Sequence, residues 1–431
     1  MLAQFSNGKT MNEKTISSHS QKTSGYAWYA LGLLTLIYVM NFVDRVLIYL
    51  LFAPIKAEMF FSDTQLALLG STSFMIFYTM LGIPFGSFAD KHSRKKLIAF
   101  GLIVWSLFSG LTGFTHGFWQ IFLCRMMVGI GEATLGPAAL SLLSDYFPSR
   151  MRATVQATFS SAIAIGTGVA FFLGGYISQL YTWRHAFYFL GFPGIVLAII
   201  VFFLKEPQRG IRDSAKQAQK TDWKLLFKNV PLRYIFFGYA FFAVAANSVS
   251  IWLPTFFVRT QSISIAEIGK WIGIGTIVGG LPGTILGGWI ADKMRAKKAG
   301  GRMLFSVAIA LLCIPVWLII LNSNSVALQL VLISILLGFA LAWLGPAAAD
   351  VNDIAGPNLR GLATGMYFFV VNAIGLGLGP LLYGKLNDVF NVTKNPEVMR
   401  QTLLISPVAC VIAAIVLYLG SRSLEKKNES I

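Results

Sequence analysis

Charged residues are what this chain most conspicuously lacks. Asp, Glu, Lys and Arg make up only 12% of its 431 residues, about half the ~25% of an average soluble domain. A water-facing surface of this size cannot be covered that way, so a soluble globular protein is excluded. Histidine is nearly absent as well. His19, His92, His116 and His185 are scattered at tails and loop ends, without the spacing of a metal site. The three cysteines, Cys124, Cys313 and Cys410, each fall in an apolar stretch and read as packing residues rather than a disulfide set. No nucleophile–base pair and no cofactor fingerprint is visible, so no cofactor and no metal are expected. A membrane-embedded enzyme is the weak rival reading. The first 25 residues lack the apolar core and cleavage site of a signal peptide and read as a polar cytoplasmic tail.

Apolar length is what remains. Hydrophobic residues make up 55% of the chain, and the mean hydropathy is +0.67. Runs of the ~20 residues needed to span a bilayer recur along the whole length. The roughly ten-residue alternating segments of a membrane β-barrel do not occur. Helices are expected near 28–52, 64–88, 96–114, 119–146, 152–180, 185–204, 232–258, 267–291, 302–321, 325–351, 358–386 and 401–421. The expected organisation is a tail (1–25), a six-helix bundle (26–204), a linker (205–231), a second six-helix bundle (232–422) and a short tail (423–431). The linker reads as a solvated connector with some helix. A short amphipathic stretch near Trp223–Phe227, lying at the membrane surface, is the alternative.

The net charge of +17 invites a nucleic-acid reading, but its distribution excludes one. Of the 35 Lys and Arg, 26 fall in the tails and alternate loops that share one side, seven fall on the other side, and Arg45 and Arg125 lie inside spans. This is the positive-inside bias of an even number of spans with both termini cytoplasmic, and the basic side suits anionic lipid heads. A bacterial inner membrane is the expected location.

The two halves repeat. Gly86-Ser-Phe-Ala-Asp90-Lys91 matches Gly288-Trp-Ile-Ala-Asp292-Lys293, and Leu135-Gly-Pro-Ala-Ala139 matches Leu344-Gly-Pro-Ala-Ala348. Asp145 and Arg152 recur as Asp353 and Arg360, both at an offset of 208. Each repeat holds six helices, so both lie the same way up. That arrangement implies a pseudo-two-fold axis along the membrane normal, with a site between the halves.

The segment GSFADKHSRKK (86–96) resembles the loop between helices 2 and 3 of the major facilitator superfamily, with Ser93 where members often carry glycine. NFVDR (41–45), RMMVGIGEA (125–133), LSDYFPSRMRA (143–153), WRHAF (183–187) and LKEP (204–207) are together similar to bacterial Spinster-like transporters, relatives of sphingosine-phosphate and lysophospholipid transporters. The organic-acid symporters of the neighbouring anion/cation family share part of this pattern. The resemblance implies twelve helices in two bundles, with helices 1 and 4 lining the cavity of the first half. It also implies that Asp90 caps helix 11 and latches the cytoplasmic side.

Four ionisable residues sit in that first half where almost every other polar group has been removed. An unpaired Arg or Asp at mid-membrane costs roughly 2.5–3.5 kcal/mol on insertion scales, so these must face protein or a water-filled cavity. Asn41 and Arg45 are four apart on helix 1 and share a face. Asp44 points about 100° away, toward a neighbouring helix. On helix 4, Arg125, Gly129 and Glu132 share a face. The expected roles are anion binding by Arg45 with Asn41, proton coupling by Glu132 and Asp44, and an ion pair between Asp44 and Arg125. The second half offers no charge at that depth, only Asn247, Ser248, Ser250, Trp252 and Trp343; of these, Asn247, Trp252 and Trp343 are expected at the substrate. Gly86, Asp90, Arg94, Asp145, Arg152, Asp292, Asp353 and Arg360 are expected to form the cytoplasmic gate, with Gly86 letting helix 11 pack closely.

The expected activity is therefore secondary active transport by alternating access, in a monomer, proton-coupled, of an anionic and amphipathic solute. A lysolipid or sphingolipid-like molecule is the leading expectation. Organic acids, sugar acids or amino acids are the alternative.

Overall fold

The computed structural model describes residues 24–148, 151–208, 224–356 and 359–429. The polar tail and most of the linker therefore lie outside the described residues. Twelve of the described helices are long and apolar enough to cross a membrane. They are α1 (Gly25–Leu50), α2 (Asp63–Gly82), α3 (Arg94–Thr112), α4 (Phe118–Tyr146), α5 (Thr154–Leu180), α6 (Trp183–Phe202), α7 (Val230–Ile251), α8 (Ile265–Lys297), α9 (Gly301–Asn322), α10 (Val326–Ala355), α11 (Arg360–Val389) and α12 (Pro396–Lys426). No strand occurs among the described residues. The protein is an all-α, multi-pass membrane protein. In the linker, a single turn of helix covers Lys224–Lys228, with Leu226 buried; Trp223 lies outside the described residues.

The basic end carries the α2–α3, α4–α5, α8–α9 and α10–α11 connections; the far end is opposite.

The repeat seen in the sequence is present in the irregularities of the helices. α4 stops at Glu132 and resumes at Leu135; α10 stops at Ala342 and resumes at Leu344. The cause is the shared Leu-Gly-Pro: Pro137 and Pro346 have no N–H to return to the preceding turn. A π-helical turn at Leu68–Thr72 in α2 recurs at Thr276–Gly280 in α8, again 208 residues later. α11 carries a longer one at Asn372–Leu378. Such turns widen a helix and frequently mark functional sites.

The halves meet along α5–α8 and α2–α11. A Cβ added at Gly273 would strike the carbonyl of Gly168, and one added at Gly269 the carbonyl of Phe171. The Gly269–Gly273 pair on α8 is thus a small-xxx-small face that lets two helix backbones touch where no hydrophobic effect would draw them together.

Candidate functional site

A cavity of about 290 Å³ lies between the halves. Its wall in the first half comes from one face of α1: Tyr38, Phe42, Arg45 and Tyr49, with Phe74 and Tyr78 of α2 beside them. Among the described residues Arg45 is the one charged residue in the lining. The opposite wall is Asn247, Ser250 and Ile251 of α7, Leu337, Leu341 and Trp343 of α10, and Phe368 and Asn372 of α11.

Arg45 is held from several directions. Its Nε and a terminal nitrogen both donate to Glu132 Oε2, at 2.8 and 2.7 Å. The same terminal nitrogen donates to Asn41 Oδ1 at 3.1 Å. The guanidinium carbon lies 4.6, 4.8 and 4.7 Å from the ring centres of Phe42, Phe74 and Tyr78, so three aromatic faces supply cation–π attraction. Glu132 is closed off completely, whereas Arg45 keeps 14% of its side chain accessible. Glu132 Oε1 and Asn41 Nδ2 make no hydrogen bond to a described residue. The arginine therefore separates the cavity from a buried carboxylate that depends on it.

Asp44 points to α3, where Ser109 Oγ donates to its Oδ1 at 2.6 Å. The expected Asp44–Arg125 ion pair does not form. Arg125 donates instead to main-chain carbonyls, those of Asp44 and Arg45 at 3.0 Å each and of Gly70 at 3.4 Å. The reason is local: Gly70 sits in the π turn of α2, and Gly129 lets α4 press so close to α2 that a Cβ there would meet the Phe74 carbonyl. Arg125 thereby ties α1, α2 and α4 together through their backbones.

One residue expected at the substrate, Trp252, lies elsewhere. Trp252 is fully buried at the break after α7, with its Nε1 donating to the Pro380 carbonyl at 3.1 Å. One residue beyond Ile251, it turns off the cavity face. Ser248 likewise faces Ser406, at 2.7 Å. Asn247 and Trp343 do line the cavity, and Trp343 Nε1 makes no hydrogen bond to a described residue. Sequence reasoning missed Tyr38, Tyr49 and Asn372. Tyr38 and Tyr49 could have been found, being seven before and four after Arg45 on one helical face.

At the basic end each half builds its own ionic cluster. Arg94 is fully buried and donates to Asp145 at 2.5 Å, to Glu206 at 3.1 Å and to the Ser141 carbonyl and hydroxyl. Arg302, at the same offset of 208, reaches Asp353 at 2.6 Å, Asp292 at 2.7 Å and Asp350 at 3.4 Å. Arg152 and Arg360 donate back to the Ser144 and Asn352 carbonyls, an equivalent pair. Arg94 was expected in one cytoplasmic gate with Asp90. It turns inward because α3 begins against Glu206, which accepts from Ser93 Oγ at 2.6 Å and from the Arg94 amide at 2.9 Å. Partial burial alone would raise the Glu206 carboxyl; the Ser93 and Arg94 hydrogen bonds and the guanidinium charge outweigh it and hold the group below the usual range. Asp90 is exposed. Gly86 faces Pro137 of α4 in its own half, not α11, because the first half packs α2 against α4 at this level. Arg302, Asp350 and Glu206 were not anticipated; the 208-residue offset from Arg94 would have identified Arg302.

At the far end the halves are joined. Asp63, fully buried at the start of α2, accepts from both terminal nitrogens of Arg259 at 2.7 and 2.9 Å and from Lys56 at 2.5 Å. Asp388, near the end of α11, accepts from the Asp63 and Thr64 amides, each at 2.8 Å. Ser62 and Gln65 form a reciprocal capping box on the same helix end. The first amides of α2 are thus satisfied half by its own side chains and half by a carboxylate from the other bundle.

The paired bundles, the buried ions and the cavity between them define a membrane transporter. The chain belongs to the Major Facilitator Superfamily, whose sequence profile matches residues 34–380. It is 26% identical over 394 residues to an MFS-type efflux pump of Mycolicibacterium smegmatis, covering 91% of this chain and 92% of that one. It is also 26% identical over 373 residues to the hexuronate transporter of Bacillus subtilis, covering 81% and 85%. The crystal structure of a bacterial homolog to the human lysosomal transporter Spinster, inward-facing and unoccupied, superposes with a TM-score of 0.83 at 25% identity, over 94% of this chain and 99% of that one. Within the superfamily the chain is Spinster-like, and it is not an enzyme.

Proposed function

We propose that the protein is a proton-coupled secondary transporter of an amphipathic organic anion, working by alternating access with the basic end and both termini in the cytoplasm of a bacterial cell. The observation that carries this reading is the lining of the cavity: Arg45 alone brings charge, and the rest is aromatic, apolar or sparsely polar. An anionic head would take the guanidinium hydrogen bonds that Glu132 now holds. Among the described residues Arg45 is the one hydrogen-bond donor to Glu132, through Oε2, so losing Arg45 would leave a buried carboxylate unpaired, at a cost that protonation relieves. Anion binding and proton uptake would then favour each other, as linkage requires. The join at the far end supports reading this conformation as inward-facing.

The leading substrate class is a lysolipid or sphingolipid-like anion, whose tail would leave the cavity between helices. A second reading is favoured by the cavity volume of about 290 Å³ and by the hexuronate transporter among the relatives: a compact sugar acid or other carboxylate held entirely inside. Counterflow in proteoliposomes, with labelled lysophospholipid in one arm and hexuronate in the other, separates the two. In whichever arm is active, Arg45→Ala is expected to abolish substrate-dependent thermal stabilisation. Glu132→Gln is expected to keep exchange and lose accumulation driven by a proton gradient. Normal proton-driven accumulation by that variant rules out the coupling role.

A further inference from the structure

A second cavity lies away from the transport path, on the membrane face of the second half. It is a groove of about 730 Å³ between α7, α11 and α12. Val244, Ile374, Leu378, Leu382, Val408 and Ile412 are among its walls. The groove exists because α11 is widened by the π turn Asn372–Leu378 and then continues through Gly379-Pro380. From Ile374 to Lys385 on α11, and from Gln401 to Ile412 on α12, it runs eleven residues along each helix. At 1.5 Å per residue that is ~16 Å, half of the ~30 Å hydrocarbon core. The groove therefore has the length of one leaflet, the one at the far end.

Only two lining residues carry a strongly polar side chain, and both are at its mouth: Lys385, one turn before α11 ends, and Gln401, in the first turns of α12. Both are exposed. Neither side chain makes an ion pair or hydrogen bond to a described residue. Nearby Asp388 is not paired with Lys385, because it is committed to the α2 amides. An unpaired lysine at the polar end of an apolar slot one leaflet long is complementary to a single kind of membrane component. Another lateral groove of this half, about 440 Å³ between α8, α9 and α10, has walls such as Leu286, Phe305 and Phe339 and no charged residue. It offers a chain nothing with which to select a headgroup.

We propose that the α7–α11–α12 groove binds one anionic phospholipid, with an acyl chain along the π turn of α11 and the headgroup phosphate at Lys385 and Gln401. The inference is independent of the transported solute. It is tested on the full-length protein by native mass spectrometry after equilibration with equal amounts of phosphatidylglycerol and phosphatidylcholine of the same chain length. The native protein is expected to retain phosphatidylglycerol over phosphatidylcholine by roughly fivefold, the factor that one lysine near a lipid headgroup supports. Lys385→Gln is expected to bring the ratio to unity, and Lys385→Arg to preserve it. Ala409→Trp, which fills the groove, should lower retention of both lipids. If that variant does not fold, Lys385→Gln carries the test, since its side chain is exposed. Equal retention of the two lipids by the native protein, or an unchanged preference in Lys385→Gln, overturns the proposal.

Discussion

Replacing Asp388 by asparagine removes the one carboxylate that caps α2 from the opposite bundle. Its two oxygens each accept a main-chain hydrogen bond, from Asp63 and Thr64 at 2.8 Å. The amide keeps one acceptor and turns its NH2 toward the other N–H. The charge at a helix N-terminus is worth about 0.3–1 kcal/mol, and up to ~2 kcal/mol when partly buried. The unsatisfied, part-buried amide adds ~1 kcal/mol or more. A loss of about 2 kcal/mol falls only on the state in which the far end is closed, because only there does Asp388 reach α2. The equilibrium between closed and open far ends should then shift roughly 30-fold toward open. The assay is electron–electron double resonance in proteoliposomes between spin labels at Leu180 and Phe390, which are 58% and 52% exposed on opposite halves, with the three buried cysteines replaced. Asp388→Asn should add a longer-distance population. Asp63→Asn should add a larger one, since it strands Arg259 and Lys56 together. Distance distributions identical to the native protein for both variants would refute the reasoning that these contacts hold the far end shut.

Two further outcomes follow from the clusters at the basic end. Arg302→Ala leaves Asp350, of which 2% of the side chain is accessible, without its cation; breaking such a pair costs about 3–5 kcal/mol, so a drop in melting temperature well beyond that of Arg360→Ala is expected in a thermal-shift assay. Glu206 binds its proton less readily in the folded protein than at the ordinary value of 4.5. It therefore contributes stability that is present above that pH and lost as pH falls through the lowered value. The native protein should lose melting temperature in that acid window, and Glu206→Gln should be less stable at neutral pH and flatter across the window; parallel curves for the two proteins contradict the assignment.

Much of the site was legible before any coordinates. The cost of mid-membrane charge singled out Asp44, Arg45, Arg125 and Glu132, and helical spacing correctly put Asn41 and Arg45 together with Asp44 off their face. Partner choice was not legible. Arg125 faces an acid in the sequence but main-chain carbonyls in the fold, because a π turn in α2 and a glycine in α4 bring backbones within its reach. Trp252 looked like a cavity residue until the break after Ile251 rotated it onto α11. The far-end join links residues separated by 196 and 325 positions, and no periodicity connects them.

The sequence by itself determined that the chain crosses a membrane twelve times, that it does so as two repeats of the same orientation, and that four ions must be hidden in the first. These are consequences of transfer free energy and helical period, which act on each segment locally. The tertiary structure alone decided which ion meets which, what lines the cavity and which end is joined. Those outcomes depend on how each helix is rotated and how closely its neighbours approach, and helix rotation is set by packing between segments that the chain does not bring together until it folds.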